Sequence, residues 1–374
     1  MKIVVLGLSI TSSWGNGHAT TYRALVRALA ARGHSVLFLE RDVEWYAQHR
    51  DLPNPSYCAV RLYDSLETLE ERHVADLRAA DLVMLGSYVP DGIAVGDFVL
   101  RVAGGVTAFY DIDTPVTLSR LAAGGAEYLA PRQIPHFDLY LSFAGGPALV
   151  TLQNMYGARR ARPLYCSVDP ELYFPATTRG EPVWDLGYLG TYSDDRQPVL
   201  DRLMLQAAGS WAAGRFVVAG PQYPDGIRWP ANVERIEHLP PTEHRAFYNS
   251  MRYTLNVTRR DMVRAGFSPS VRLFEAAACG VPIISDAWIG LDRFFTPAVE
   301  ILIANGPRQT LRYLRDIPEA DRREIGRRGR ARVMGAHTAE HRAIELETCV
   351  REAGYPQADP ARTSFKDGVE TFLS

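Results

Sequence analysis

The chain has almost no lysine. Of its 41 basic Lys and Arg residues only Lys2 and Lys366 are lysine. An anion gripped inside the fold must then be met by arginine, histidine or backbone amides, although genome composition alone would also produce the bias. Excess charge of one sign is lacking too. A formal net charge of −2 over 374 residues leaves no global field to draw in nucleic acid or an anionic membrane. The four cysteines, Cys58, Cys166, Cys279 and Cys349, are isolated. Without a CxxC pair or metal-ligand spacing they read as structural thiols in a reducing cytosol. No apolar run could span a bilayer, and the one in MKIVVLGLSI is too short for a signal peptide's apolar region with its cleavage site. The expectation is a cytoplasmic protein with no membrane span, peripheral contact being left open.

What is present is a soluble globular composition, 47% hydrophobic and 22% charged, at a length that suits two domains with a core each. In the first half, KIVVLGL, HSVLFLE, DLVMLGS, GGVTAFYDID, DLYLSF and ARPLYCS read as buried strands. ATTYRALVRALAARG, SLETLEERHVADLRAA and DGIAVGDFVLRVA read as helices between them. Strands spaced by helices mean βαβ units and a parallel sheet. The pattern breaks at SVDPELYFPATTRGEP and then restarts, with VWDLGYLGTY, GRFVVAG, NVERIEHL, RYTLNVT and VPIISD as strands and RQPVLDRLMLQAA and PTEHRAFYNSM as helices. The expected class is α/β, with a Rossmann-like domain over residues 1–166, a linker over 167–182 and a second Rossmann-like domain over 183–345. A C-terminal helix and tail, 346–374, cross back to the first domain. The arginine-rich DRREIGRRGRARVMG reads as a solvated helix face rather than a nucleic-acid site.

In open parallel sheets ligands bind beyond the carboxyl ends of the strands, so the residues following each strand carry the candidates. After the first strand, SITSSWGNGHATT holds Gly15, Gly17 and His18. It is not a clean GxGxxG, because Thr20 fills the last position. Either the glycines only make a turn, or the loop presents His18 to a substrate. After GGVTAFY, Asp111 and Asp113 stand at DxD spacing before Pro115, open to a turn role, to a divalent metal for which no third ligand is evident, or to work on sugar hydroxyls or an acceptor's proton. In LGYLGTYSDDR, Gly190 follows a strand, Asp194 and Asp195 are candidate helix caps, and Arg196 falls in the first turn. The helix dipole disfavours an arginine there, and a bound anion would compensate.

The stretch SPSVRLFEAAACGVPIIS, residues 268–285, reads as a helix with Pro269 near its first turn, Ser268 or Ser270 as cap and Gly280 as stop. Its uncapped amides and Arg272 make an anion site. Glu275, one turn on, suits a pair of vicinal hydroxyls. A plain intrahelical Arg272–Glu275 pair, worth ~0.2–0.5 kcal/mol, is the alternative.

The second half resembles the nucleotide-sugar domain of GT-B glycosyltransferases of the group 1 type. CSVDPELYFP, LGYLGTYSDDR, FVVAGP and SVRLFEAAACGVPIISD follow in the family's order, and RLFEAAACG is most similar to the CgeB-like (spore maturation protein-type) branch. The resemblance is specific over about residues 165–345 and architectural before that. It implies a GT-B fold, two Rossmann-like domains with parallel sheets facing across a cleft, the first taking the acceptor. It implies that Glu275 binds the donor ribose and that Arg196 and the Pro269–Arg272 helix start hold the diphosphate. Asn256, Arg259 and Arg260 line the pocket with Gly190 and Ser270, and no catalytic metal or other cofactor is needed. The chain departs from the family where a second glutamate, eight residues before Glu275, is replaced by Phe267. The family's catalytic histidine is also absent, leaving Asp111, Asp113 and His18 as catalytic candidates; Asp292 is a further candidate for the sugar.

The expected function is transfer of a sugar from a nucleoside diphosphate, UDP in the first instance, to an acceptor that is a small molecule, glycan or protein. The sequence leaves open an epimerase of the same fold, a non-catalytic nucleotide-sugar-binding protein and, on the glycine loop alone, a nicotinamide oxidoreductase.

Overall fold

The computed structural model of the protein describes residues 1–15, 17–176 and 181–354. The chain divides into two compact units. The first comprises Met1–Phe143, Ala148–Leu164 and the described residues from Ala343 on; the second comprises Ala144–Pro147 and Tyr165–Arg342.

The first unit is built on seven strands, β1 (Lys2–Gly7), β2 (Ser35–Arg41), β3 (Ala59–Tyr63), β4 (Leu82–Gly86), β5 (Val106–Asp111), β6 (Leu139–Ser142) and β7 (Ala161–Pro163). Every pairing is parallel, in the order β3-β2-β1-β4-β5-β6-β7. Helices cover both faces of such a sheet, so its central strands must be apolar throughout, and LVMLG of β4 is buried along its length. The chain runs outward from β1 to β3, then returns to lay β4 against the other side of β1. That reversal is the switch point at which an open α/β sheet leaves room for a ligand.

Strand β3 and the helix Thr114–Ala122 were not expected. AVRLY of β3 lies at the sheet edge and is mostly exposed, so it lacks the apolar signal of its neighbours. In the helix, Pro115 occupies the first turn, where its missing N–H costs nothing. Inside the helix Ala339–Gly354, Glu347 pairs with Arg32 and His34 of the first unit. The expected tail beyond Gly354 lies outside the described residues.

The second unit repeats the plan with β8 (Trp184–Leu189), β9 (Phe216–Ala219), β10 (Val233–Ile236), β11 (Met251–Asn256), β12 (Ile283–Ser285) and β13 (Leu302–Ile303). They form an all-parallel sheet in the order β10-β9-β8-β11-β12-β13, whose switch point falls between β8 and β11. Leu186, Tyr188, Val218, Leu255 and Ile284 fill its core with Leu203 and Leu314. The arginine-rich helix Glu319–Ala336 carries exposed pairs, Arg323 with Glu319 and Arg327 and Arg328 with Glu324, while Arg322 is buried against the Arg252 carbonyl. Of the expected linker, Tyr173 is buried in this unit; Thr177–Gly180 lie outside the described residues. No described helix is long and apolar enough to cross a membrane.

Candidate functional site

The helix Val271–Ala278 approaches the second sheet beside its switch point. Leu273, Phe274 and Ala276–Ala278 are buried, and Gly280, at φ +70, ends the helix. Its N–H donates to Ala277 O and that of Val281 to Ala276 O, a Schellman stop that a left-handed glycine favours. At the other end Ser270 holds the N-cap position, but its hydroxyl donates 2.8 Å to Asn256 Oδ1 instead of capping. The first turn is thereby left without a side-chain cap.

Arg272 does not pair with Glu275. Its guanidinium turns to the switch point, donating from Nε to Leu189 O at 2.6 Å and from Nη1 to Asn256 Oδ1 at 3.0 Å, and lies 4.8 Å from the Tyr188 ring centre. Gly190 makes room for it: a Cβ there would stand 2.9 Å from Arg272 Nη2 and 2.7 Å from the Tyr188 hydroxyl. Arg196 joins from the loop after β8, held by Thr191 O at 2.6 Å, with its Nε buried and without a hydrogen-bond partner. Burial, and then the Arg272 and Arg259 cations, push the Arg196 pKa below the arginine range. Among the described residues neither Arg196 nor Arg272 is within ion-pair distance of a carboxylate; both are held by neutral oxygens.

The caps expected of Asp194 and Asp195 do not form. Arg196 itself is the N-cap residue of the helix Gln197–Leu200. Asp194 accepts from the Tyr192 hydroxyl, and Asp195 is drawn off by Ser193 and the Arg260 amide. Burial raises the Asp195 pKa, but those bonds and the fields of Arg259 and Arg196 outweigh it and leave it lowered.

Asn256, at the end of β11 and fully buried, is the hub. Its Nδ2 donates to Ser285 Oγ and Thr258 Oγ1 at 2.9 and 3.1 Å, and at 3.5 Å to Asp286 Oδ1. Asp286, after β12, also takes the Thr258 amide and hydroxyl, and burial pushes its carboxyl up. Glu275 is 4% exposed and accepts from the Tyr248 hydroxyl at 3.2 Å; the Tyr173 hydroxyl lies 3.5 Å from His244 Nδ1. Gly190, Arg196, Asn256, Ser270 and Arg272 therefore converge, with Arg259 close enough to be felt by Arg196. Glu275 hangs from the same helix on another bearing, and Arg260 and Asp292 are exposed. Phe267 sits at φ +47, its amide donating to Ile289 O and its carbonyl accepting from Gly145 N. Its ring covers Gly146 and Gly290, where a Cβ would collide with it.

The remaining candidates belong to the first unit. Glu40, buried at the end of β2, gathers the Ser9 and Thr11 hydroxyls and the Ile10 and Thr11 amides, which fixes the loop leading to Gly15 and Gly17. Asn16, between those glycines, lies outside the described residues. His18 Nε2 stands 3.8 Å from Asp113 Oδ2 and edge-on to Tyr88. Asp111 lies beneath them, fully buried. It accepts from the Tyr140 hydroxyl at 2.6 Å, the Thr117 hydroxyl at 2.8 Å and the Asp113 amide at 3.2 Å. Burial pushes its carboxyl up to about 6. The structure thus brings His18 and Asp113 together and uses Asp111 to hold the backbone under them.

Tyr188, Thr258, Asp286, Tyr248 and Tyr173 were not picked out from the sequence. The strand-end rule could have found Asp286 and Thr258, since each follows its strand within two residues. Tyr188 lies within a strand and Tyr248 within a helix, Tyr173 lies in a loop, and none gives such a signal.

Residues 196–348 match the family model described as glycosyl transferase-like. No curated protein matches the chain. Among solved structures it is similar to the sucrose-phosphate synthase of Thermosynechococcus elongatus, at TM-score 0.69 and 16% identity over 94% of this chain and 98% of that one. It is also similar to Anabaena HepE in complex with UDP and glucose, at TM-score 0.65 and 13% identity over 94% and 100%. At such identities the likeness speaks for the fold. Residues 196–348 carry the sequence of the glycosyl transferase-like family, and the chain is a glycosyltransferase of GT-B fold.

Proposed function

We propose that the second unit binds a nucleoside-diphosphate sugar, UDP-linked in the first instance, and that the protein transfers the sugar to an acceptor without a catalytic metal. The observation that supports this most is the pair Arg196 and Arg272. Two partly buried cations at a sheet's switch point, held by neutral carbonyls and raising each other's cost, call for a bound anion of about two charges. A diphosphate supplies those charges. Its β-phosphate oxygen gains charge as the bond to the sugar's anomeric carbon breaks, so donors already in place stabilise the leaving group. The uncapped first turn of Val271–Ala278 adds amides of the same sign. Glu275, oriented by Tyr248, accepts from the ribose hydroxyls. Asp113 with His18, in the first unit, is the candidate base for an acceptor's proton. The complex of HepE with UDP and glucose supports UDP as the first nucleotide to test.

The test is incubation with a panel of nucleotide sugars, following nucleotide release and the fate of the sugar. The expected result is slow hydrolysis of one donor to the nucleoside diphosphate, accelerated when acceptor is supplied. Interconversion of sugars without nucleotide release would replace transfer by isomerisation. Failure to bind any nucleoside diphosphate would remove the donor assignment.

A further inference from the structure

We infer that Tyr188 is a third diphosphate-binding group, its hydroxyl donating to the phosphate oxygen that Arg272 Nη2 takes. The inference rests on the donor-site reading above. Tyr188 stands next to last in β8 and is 1% exposed. Its ring belongs to the core with Leu186, Val218 and Leu255, a place that phenylalanine would fill as well. The hydroxyl has no such use. It is buried and has no hydrogen-bond partner among the described residues, and an unpaired buried polar group costs about as much as a lost hydrogen bond. Tyrosine at this position is explained only by a partner from outside the chain.

The hydroxyl ends where the cations of the site meet. It and Arg272 Nη2 crowd one spot at Gly190, 2.7 and 2.9 Å from where a Cβ would stand there, and the guanidinium lies 4.8 Å from the ring centre. Arg272 Nε and Nη1 are taken by Leu189 O and Asn256 Oδ1, which leaves Nη2 for the ligand. Arg196, whose buried Nε also lacks a partner, is near enough to feel Tyr188. The Tyr223 hydroxyl is felt too, but its hydrogen goes to Gly190 O at 3.1 Å. Guanidinium groups only donate, so what the Tyr188 hydroxyl lacks is an acceptor. A phosphate oxygen on Nη2 is one, and a hydrogen bond to its charge is of the strong kind. In the free protein Nη2 crowds the hydroxyl. A phosphate that draws Nη2 outward, with Nε and Nη1 keeping their bonds, opens the hydroxyl to the same oxygen.

Such a residue has a signature that a packing residue lacks. Tyr188→Phe keeps the ring in the core and beneath Arg272 and removes only the unpaired hydroxyl. The free protein then loses no bond, while the complex loses one.

The experiment compares wild type and Tyr188→Phe, as full chains, by thermal melting without ligand and by calorimetric titration with UDP, inorganic pyrophosphate and uridine. Tyr188→Phe is expected to melt at or above the wild-type temperature, to bind UDP and pyrophosphate about tenfold more weakly, and to bind uridine unchanged. Unchanged UDP affinity overturns the inference, and so does an equal loss for uridine, which would put the hydroxyl at the nucleoside. A lower melting temperature, or no cooperative melt, overturns it as well, because the hydroxyl would then have been holding the fold. A wild type that binds UDP no better than uridine is a separate outcome and removes the donor-site reading itself.

Discussion

Gly190→Ala places a methyl group against the diphosphate arginine without touching any charge. The backbone there does not require glycine's left-handed freedom, for Gly190 is not among the positive-φ residues. What glycine provides is space. The new Cβ would lie 2.7 Å from the Tyr188 hydroxyl and 2.9 Å from both Tyr188 Cζ and Arg272 Nη2, inside van der Waals contact. Tyr188 is 1% exposed and packed in the core, so it resists. Arg272 is the free end of a flexible side chain and yields. On moving it gives up its bonds to Leu189 O and Asn256 Oδ1 and its place at the phosphate. A hydrogen bond to a charged group is worth about 1.5–3 kcal/mol. Losing one such bond to the ligand, about 2 kcal/mol, predicts UDP binding weakened about 30-fold. Overpacking adds a stability cost of about 1–3 kcal/mol, so a thermal melt must accompany the titration to show that the variant is folded. A folded Gly190→Ala protein that binds UDP as tightly as the wild type would refute the placement of Arg272 at the diphosphate.

Glu275→Ala should weaken UDP about tenfold while leaving inorganic pyrophosphate binding unchanged, since a ribose contact does not reach the phosphates; equal UDP affinity would remove the ribose assignment. Asp111 gives a prediction in pH. Its pKa is raised from 3.8 to about 6, so between those values the folded state binds more proton than the unfolded. Its contribution is complete below about pH 4 and is lost as pH rises through 6. At ~1.4 kcal/mol per pH unit that is about 3 kcal/mol. Asp111→Asn lacks it, so the stability gap between wild type and variant should shift by about that amount in the variant's favour from pH 4 to pH 7. Denaturant unfolding across the range checks this, and a pH-independent gap would contradict it.

Much of this architecture is legible in the sequence because a parallel sheet buries both faces of its strands. KIVVLG, LVMLG and FVVA are apolar runs that helices interrupt at regular intervals, and they fall where β1, β4 and β9 lie. AVRLY at the edge is not legible, since one side of an edge strand meets water and Arg61 can sit there. In the candidate site, what could be read was whatever acts from its own place in the chain: Arg272 at a helix start, Gly190 at a strand end. The partners could not be read. Asp286 lies 30 residues from Asn256 and Tyr248 lies 27 from Glu275, and only the order of strands brings them together. Local spacing also misassigned a role. Ser270 looks like a helix cap, yet Asn256 offers its hydroxyl a buried acceptor that also braces Arg272, and the cap is forgone.

The claim at the centre of this account is that Arg196 and Arg272 hold a nucleotide's diphosphate. Comparing UDP with uridine in calorimetric titrations of the wild type, Arg196→Ala and Arg272→Ala isolates it, because the two ligands differ only in the phosphates. The account predicts that the wild type binds UDP at least about 100-fold more tightly than uridine, about 2.7 kcal/mol, and that each substitution removes most of that gap while uridine binding stays as it was. A gap that survives both substitutions, or UDP and uridine binding alike to the wild type, would contradict it.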